Sequence, residues 1–337
     1  MEHGAKPAQT QSVIDEIERL GFTAHPIYGE HLTVVAVVGK HPGALREHFD
    51  LMEGVARVEL IDQPYKLVAR ADRDYSSFHV RDVQIGGGEL TVIAGPCSVE
   101  NEEQILACAH GAKAAGAKML RGGAFKPRTS PYSFMGLGQR GLELLSLARE
   151  ETGLPIVSEV MDARQVEAMV GHVDMLQIGA RNMQNFTLLF EVGKAGLPVV
   201  LKRGLSATID DFLNAAEYIA SEGNDRILLC ERGIRTFETA TRNTLDINAV
   251  PVLRRLTHLP IAVDPSHAVG ERELVEPISW ASAAVGADAL MIEIHPNPAV
   301  AMSDGAQSLD FASFQKLMDG VAKVPRYHYG PSRLISE

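Results

Sequence analysis

The chain has 337 residues, which is long for one compact unit and short for three, so we expect one large domain with a small appendage. Hydrophobic residues make up 45% of the sequence and charged residues 22%, proportions typical of a globular protein and not of a disordered or membrane-spanning chain. The net charge of −11 argues against binding to nucleic acids or to anionic membranes, because both require a positive electrostatic field.

The first thirty residues carry charges throughout and contain no long apolar stretch, so we expect no secretory signal and a cytoplasmic protein. Three cysteines, Cys97, Cys108 and Cys230, are odd in number and irregularly spaced, as expected of reduced thiols. Each is then a ligand, a nucleophile or part of the core. For Cys108 and Cys230 we predict the core.

The first 70 residues have the pattern of a small α+β domain. Helical spacing and β-branched runs occur in the order α-β-β-α-β, with the two central strands meeting at Gly29 and Glu30. The predicted elements are a helix at 12–20, strands at 23–28 and 32–38, a helix at 43–52 and a strand at 55–61. A further run at 80–85, followed by glycines at 86–88, predicts a short hairpin before the next domain.

From residue 89 onward, short apolar runs alternate with helical patterns, which indicates a parallel sheet covered on both faces. Eight runs are predicted strands: 90–94, 118–121, 155–160, 175–178, 198–202, 226–230, 260–263 and 289–294. Predicted helices include 102–115, 142–151, 209–221 and 311–321. Eight units over about 250 residues predict an α/β fold of the (β/α)8 or TIM barrel class, assigned to 71–337, with the α+β domain at 1–70. The alternative, an open doubly wound sheet, lacks a Gly-rich dinucleotide fingerprint after its first strand.

In such a barrel, residues just past the carboxyl ends of the strands converge on one mouth. Several cations occupy these positions in an otherwise acidic protein: Arg121, Lys126, Arg128, Arg181, Lys202, Arg203 and Arg232. Like charges brought together are costly without an anion, so the set implies a substrate with several negative charges. For any one of these residues, an ordinary surface ion pair is the alternative.

A second group at the predicted strand ends carries a thiol, an imidazole and two carboxylates: Cys97, His267, Glu293 and Asp304. This mixture of soft and hard donors suits a divalent Mn, Fe, Co or Zn ion better than Mg or Ca. No CxxC or HExxH pair supports a metal locally, so the inference depends on the barrel. Taken singly, Cys97 is more typical of a buried apolar residue than of a ligand, and His267 fits a helix-entry turn as well as it fits a ligand.

Seven short motifs follow one another at the predicted strand ends: AGPCS at 94–98, LRGGAFKPRTS at 120–130, QIGARN at 177–182, LKRG at 201–204, CERG at 230–233, DPSH at 264–267 and SDG at 303–305. In this order they closely resemble the 3-deoxy-D-arabino-heptulosonate 7-phosphate (DAHP) synthases. The similarity is to the short-chain, type I beta branch and runs from about residue 64 to about 322.

The resemblance implies condensation of phosphoenolpyruvate with erythrose 4-phosphate, the first step of the shikimate pathway, in a metal-dependent homotetramer. By motif position, the metal ligands are Cys97, His267, Glu293 and Asp304. The implied phosphoenolpyruvate contacts are Arg121, Lys126, the backbone of Ala180, Arg181, Lys202 and Arg232. Those to erythrose 4-phosphate are Pro127, Arg128, Thr129 and Asp304. The sister octulosonate phosphate synthases, which use arabinose 5-phosphate, have an Asn-containing loop instead of Lys-Pro-Arg-Thr.

The reaction implied by the resemblance requires an acid for the alkoxide formed from the aldehyde. Lys126 is the candidate, on the expectation that neighbouring cations lower its pKa. Glu159 is the candidate for positioning the water that attacks the second carbon of phosphoenolpyruvate.

The N-terminal segment resembles the ferredoxin-like regulatory domain of some DAHP synthases, which binds tyrosine or phenylalanine as a feedback inhibitor. Residues 1–10 depart from that pattern, because they lack the apolar residues of a first strand. A simple oligomerisation module is the alternative for this domain.

Two functions from other classes are alternatives to the synthase. One is a Schiff-base aldolase in which Lys202 attacks a carbonyl. The other is a non-catalytic ligand sensor whose active part is the small domain.

Overall fold

The structure is a computed structural model that describes residues 1–2, 5–28, 33–38, 45–58, 64–70, 73–126, 130 and 132–329. The chain divides into two compact units, Met1–Gln63 and Pro64–Glu337. Residues 64–70, predicted to belong to the small domain, therefore lie in the larger unit. None of the helices in the described ranges combines the length and apolar character needed to cross a membrane.

The first unit contains helix α1 (Pro7–Arg19), strands β1 (Thr23–Tyr28) and β2 (Thr33–Val38), and helix α2 (Arg46–Asp50). The strands are antiparallel, and Val13, Ile17 and Phe49 form the centre of the unit's core. Helix α1 begins earlier than predicted, since Pro7 at its first position needs no hydrogen-bond partner. Residues 55–58 of the last predicted strand have no strand conformation, and the remainder, like the turn at 29–30, lies outside the described residues.

The second unit is a closed barrel of eight parallel strands, as predicted. The strands are β5 (Thr91–Gly95), β6 (Met119–Arg121), β7 (Ile156–Val160), β8 (Met175–Ile178), β9 (Val199–Lys202), β10 (Ile227–Glu231), β11 (Ile261–Val263) and β12 (Ala289–Glu293). Pairing of β12 with β5 closes the ring. Every predicted strand is confirmed to within one residue at each end, because these fully buried runs are bounded by Gly, Pro or polar residues.

Helices surround the barrel. They are α3 (Glu102–Ala114), α4 (Gln139–Thr152), α5 (Val166–Met169), α6 (Phe186–Lys194), α7 (Ile209–Ala220), α8 (Ala249–Leu256), α9 (Pro265–Val269), α10 (Arg272–Ala284) and α11 (Phe311–Val321). Their apolar faces and the outward side chains of the strands form one continuous core. The four predicted helices are confirmed, with α4 starting earlier than expected after Gly138.

A hairpin precedes the barrel, with strands β3 (Phe78–Val80) and β4 (Val83–Ile85). Its turn is at Arg81, which has a φ of 54°, and not at the glycines 86–88 as predicted. Phe78, Val80 and Ile85 belong to the same apolar cluster as the inward side chains of the barrel. Thr91, the first residue of β5, donates a hydrogen bond to the Gln84 carbonyl. The hairpin therefore fills the amino end of the barrel.

Charged side chains lie above this apolar interior. Because side chains alternate along a strand, the residue two positions beyond each interior residue faces the same way. The interior Met119, Val157, Val200, Cys230, Ala262 and Met291 are each followed at this spacing by a charged residue. These charged residues are Arg121, Glu159, Lys202, Arg232, Asp264 and Glu293. One periodic pattern thus produces a core at one end of the barrel and a reactive layer at the other.

Glu217 on α7 explains why residues 64–70 belong to the barrel unit. Its carboxylate accepts hydrogen bonds from the backbone N–H groups of Lys66, Leu67 and Val68, over 2.9, 2.9 and 3.0 Å. Three donors on one acceptor hold this segment against the outside of the barrel.

Candidate active site

Three of the four predicted metal ligands form a cluster at the carboxyl end of the barrel. The Cys97 sulfur and one carboxylate oxygen each of Glu293 and Asp304 lie within 4.8 Å of one another. His267, the fourth, places Nε2 at 3.3 Å from Glu293 Oε1. Side chains from the first, seventh and eighth strand ends are therefore adjacent, as the barrel argument required.

Gly95 allows the backbone conformation that places Cys97 in this cluster. A Cβ at Gly95 would lie 1.9 Å from the Arg121 carbonyl oxygen, so only glycine allows β5 to run this close to β6 before the turn to Cys97.

His267 is held by Asp264 at the start of α9. The Asp264 carboxylate accepts a hydrogen bond from the His267 backbone N–H over 3.0 Å, which caps the helix. Its Oδ2 also lies 2.7 Å from His267 Nδ1, without the alignment of a hydrogen bond. Asp264 therefore fixes the backbone of His267 and lies beside Nδ1 of its ring, and Nε2 faces Glu293.

Asp304 occupies a left-handed backbone conformation, with a φ of 51° that is uncommon for a residue with a side chain. Burial favours its neutral form, but His267 and the hydrogen bond from Cys97 outweigh burial, and the pKa of Asp304 lies well below its usual range. The turn therefore presents an ionised carboxylate to the cluster, at the cost of local strain.

The Cys97 side chain shows how this donor set would respond to a cation. Burial, followed by the charge of Glu293, raises the pKa of the Cys97 thiol to about 12, and Sγ donates to Asp304 Oδ2 over 3.0 Å. A thiolate ligand requires loss of this proton, which a bound cation favours. A sulfur, an imidazole and two carboxylates at this spacing fit a divalent first-row transition ion.

Four buried cations surround the cluster: Arg121, Lys126, Lys202 and Arg232, each at most 7% exposed. Arg121 pairs with Glu293, and Lys202 pairs with Asp264 at 2.5 Å. Within the described residues, Arg232 Nη1 is buried without a hydrogen-bond partner, and burial lowers the pKa of this guanidinium. An unpaired buried donor is costly, and an anionic substrate would supply its acceptor.

The pKa of Lys126 differs from the prediction, which was that neighbouring cations lower it. Burial does lower it, but the charges of Cys97 and Glu159 outweigh burial, so the pKa of Lys126 is raised. Its ammonium donates to the Cys97 carbonyl over 3.0 Å. The expected direction was wrong because the negative groups around Lys126, Glu159 and Glu293 among them, outweigh burial and the Arg121 cation together. Lys126 is therefore held protonated, the form that an acid needs.

Arg203 was grouped with the substrate-facing cations, but the structure assigns it to an internal ion pair. Its Nη1 donates to Glu231 Oε2 over 3.0 Å and to Asp246 Oδ2 over 2.8 Å. His295, also at a strand end, faces Glu100 at 3.4 Å. Neither side chain is available to a substrate in this arrangement.

Three further predicted residues, Glu159, Ala180 and Arg181, lie at the ends of β7 and β8. Glu159 accepts a weak hydrogen bond from Gln177 over 3.4 Å, Ala180 begins a single 3-10 turn after β8, and Arg181 is exposed. Pro127, Arg128 and Thr129 lie outside the described residues. Cys108 and Cys230 are buried and are not among the clustered donors, which confirms their prediction as core residues.

Sequence reasoning missed two side chains beside the carboxylates, Arg242 and Gln307. Arg242 Nη1 donates to Asp304 Oδ1 over 3.2 Å, and Gln307 Nε2 donates to Glu293 Oε2 over 2.5 Å. Neither is at a strand end or in a motif with a recognised spacing, so no signal in the sequence singles them out.

Comparison with known families decides where this barrel belongs. The sequence profile of the DAHP synthetase I family matches residues 65–325, and that of the DAHP synthase ferredoxin-like domain matches residues 1–63. The chain belongs to the DAHP synthetase I family. It is thus an enzyme of the DAHP synthase type, and the predicted ferredoxin-like class of its N-terminal domain is confirmed.

Relatives of both sister activities are found. The chain is 47% identical over 324 residues to a phospho-2-dehydro-3-deoxyheptonate aldolase of Thermotoga maritima, covering 95% of this chain and 96% of that one. The crystal structure of the Thermotoga maritima enzyme, DAHP synthase, superposes with a TM-score of 0.80 at 45% identity, over 95% of this chain and 94% of that one. A 2-dehydro-3-deoxyphosphooctonate aldolase of Syntrophotalea carbinolica is 38% identical over 258 residues, 71% of this chain and 92% of that one.

The ion pairs of Arg203 predict a structural role. The substitution Arg203→Met leaves Glu231 buried without its cation. We therefore expect the free energy of unfolding, measured by urea denaturation, to fall by about 3–5 kcal/mol. Arg164→Met, which breaks an exposed pair with Asp162, is the control and should change it by less than about 1 kcal/mol. Unchanged stability of Arg203→Met, with weaker substrate binding, would return Arg203 to the substrate site.

Proposed function

We propose that this chain condenses phosphoenolpyruvate with erythrose 4-phosphate to give DAHP and phosphate, with a divalent Mn, Fe, Co or Zn ion held by Cys97, His267, Glu293 and Asp304. The observation that carries the proposal is the convergence of these four donors beside buried cations at the mouth of the barrel. Similarity to the Thermotoga enzyme over nearly the whole chain supports the same reaction.

The cations account for binding of phosphoenolpyruvate. Arg121, Lys202 and Arg232 lie at the ends of three different strands and bring positive charge to one space, where Arg232 Nη1 has no acceptor among the residues that the structure describes. With Lys126, the backbone of Ala180 and Arg181, they would neutralise the phosphate and carboxylate of the substrate. Held rigidly by Glu293 and Asp264, Arg121 and Lys202 act by orienting the substrate and stabilising its charge.

The aldehyde substrate is assigned to the adjoining loop. The sequence Lys-Pro-Arg-Thr at 126–129 supports erythrose 4-phosphate as the acceptor, with Pro127, Arg128, Thr129 and Asp304 as its contacts. An Asn-containing loop would favour the five-carbon substrate of the octulosonate aldolases, to which the chain is also similar.

The chemistry needs an acid and a positioned water. When bound, the metal ion would act as a Lewis acid toward the aldehyde. Lys126 is the acid that we assign to the alkoxide formed as the new carbon-carbon bond closes, and its raised pKa and its contact with the Cys97 carbonyl support this role. Glu159, whose charge acts on Lys126, is assigned to the water that attacks the second carbon before phosphate leaves.

A Schiff-base mechanism through Lys202 fits the geometry less well. Attack on a carbonyl needs a neutral amine, whereas Lys202 Nζ is in a buried ion pair with Asp264 at 2.5 Å.

Regulation is assigned to the ferredoxin-like domain. We propose that it binds tyrosine or phenylalanine as a feedback inhibitor, and that the enzyme works as a cytoplasmic homotetramer. The match of residues 1–63 to a DAHP synthase ferredoxin-like domain supports the regulatory part of this proposal.

The acceptor assignment predicts a substrate preference. With phosphoenolpyruvate present, we expect phosphate release with erythrose 4-phosphate to exceed that with arabinose 5-phosphate by at least about 100-fold in kcat/KM, since the loop must discriminate through several polar contacts. A discontinuous phosphate assay measures both. Equal rates, or preference for the five-carbon sugar, would contradict the assignment.

The metal assignment predicts that Cys97→Ala loses turnover. Losing Lewis-acid stabilisation of several kcal/mol should lower kcat by more than about 100-fold, and chelation of the wild-type enzyme should do the same. Cys108→Ala, the matched control, removes a buried thiol that is not one of the clustered donors and should retain activity. Full activity of the wild type in stringently metal-free buffer would overturn the assignment.

The regulatory assignment predicts where an aromatic amino acid binds. Calorimetric titration with tyrosine or phenylalanine should give a heat of binding with the full chain and none with a truncated chain of residues 64–337, which retains the barrel unit. Both proteins should condense the substrates, which controls for folding. Binding to neither protein would contradict a sensory role.

A further inference from the structure

Gln307 and Arg242 adjoin the candidate metal site without belonging to its ligands or substrate contacts. We propose that they are positioning residues, which hold the carboxylates of Glu293 and Asp304 in the orientation that binds the metal ion. This inference rests on the proposed metal site and adds to it the residues that control its geometry.

The Gln307 side chain is only 2% exposed and is used at both ends. Its Nε2 donates to Glu293 Oε2 over 2.5 Å, and its Oε1 accepts from Arg242 Nη1 over 2.8 Å. A guanidinium can only donate and an ionised carboxylate can only accept. An amide, with one donor group and one acceptor, satisfies both neighbours in a single orientation.

The two oxygens of Glu293 therefore have different partners. Oε1 faces Arg121 and, at 3.3 Å, His267 Nε2, whereas Oε2 receives the Gln307 amide. The terminal torsion of a glutamate has a broad energy minimum, so contacts on both oxygens are needed to fix the carboxylate plane. Loss of the Gln307 hydrogen bond would leave Oε2 of the Glu293 carboxylate without this contact.

Asp304 is fixed in the same way. Arg242 Nη1 lies 3.2 Å from Oδ1, and the Cys97 thiol donates to Oδ2. The backbone N–H of Gln307 also donates to the Asp304 carbonyl over 3.3 Å and helps to hold the strained turn. Gln307 thus connects the side chain of one candidate ligand to the backbone of the other.

Arg242 is itself anchored to the segment that carries His267. Its backbone N–H donates to the Val269 carbonyl over 3.0 Å, and Asn243 Nδ2 donates to the His267 carbonyl over 2.9 Å. A Cβ at Gly270 would lie 2.6 Å from the Arg242 Cβ, so this approach requires glycine. The loop after β10 therefore contacts the segments that carry His267 and Asp304 directly, and it reaches Glu293 through Gln307.

Metal affinity tests the proposal directly. Titration of the metal-free full chain with Co²⁺ gives a Kd and, through Cys97, a thiolate-to-cobalt absorption band. In Gln307→Leu we expect Kd to rise about 10–100-fold with an altered band, since removing hydrogen-bond partners of metal ligands has effects of this size. Arg242→Met, whose side chain is 42% exposed, should show a smaller increase, and Arg242→Lys should recover part of it.

Gln315→Leu is the matched control. It removes an amide-to-carboxylate bond of 2.8 Å to Asp319 on the surface of α11 and should leave the cobalt Kd unchanged. A merely structural role for Gln307 would lower thermal stability and leave the Kd and the band in place.

The possible outcomes distinguish the positioning role of Gln307 and Arg242 from the existence of the metal site. If the wild type binds Co²⁺ and both Gln307→Leu and Arg242→Met bind it equally well, the positioning role is overturned and the metal site stands. If the wild type binds no Co²⁺, both are overturned. Should Gln307→Leu fail to fold, Arg242→Met decides, because its partly exposed side chain can be replaced without opening the core.

Discussion

Closure of the ring by β12 against β5 is the constraint on which the site depends. Cys97 and Asp304 are 207 residues apart in the sequence, yet their side chains share a hydrogen bond. Arg121 and Glu293, 172 residues apart, pair at the same place. No local motif can bring such residues together, so the chemistry belongs to the complete barrel and to no single segment of it.

Buried charge at the mouth is largely balanced in pairs, and this balance makes it tolerable. Glu293 compensates Arg121, Asp264 compensates Lys202, and Glu231 compensates Arg203. Such pairs fix side chains before a substrate arrives, so less reorganisation is needed when charge develops during the reaction. Arg232 departs from the pattern, because its buried Nη1 has no acceptor among the described residues, and it marks where external negative charge is best accommodated.

The fold was predictable because burial leaves a simple trace in the sequence. Each barrel strand is a short apolar run with clear ends, and a polar residue two positions on marks the mouth, as with Met119 and Arg121. The predictions that were wrong, and the residues that were missed, depend on contacts between distant segments. Arg203 meets Asp246, which is not at a strand end, and the pKa of Lys126 is set partly by Glu159 from another strand. Gln307 acquires its role from where its amide points, which no spacing encodes.

The hairpin at the base of the barrel has a consequence for how substrates enter and products leave the enzyme. Phe78, Val80 and Ile85 pack against the inward side chains at one end of the barrel, and the candidate site lies at the opposite end. Two reactants must enter and two products must leave at this end. The space available there therefore limits the order in which they can arrive and depart. Any molecule lodged at that entrance obstructs all four movements together.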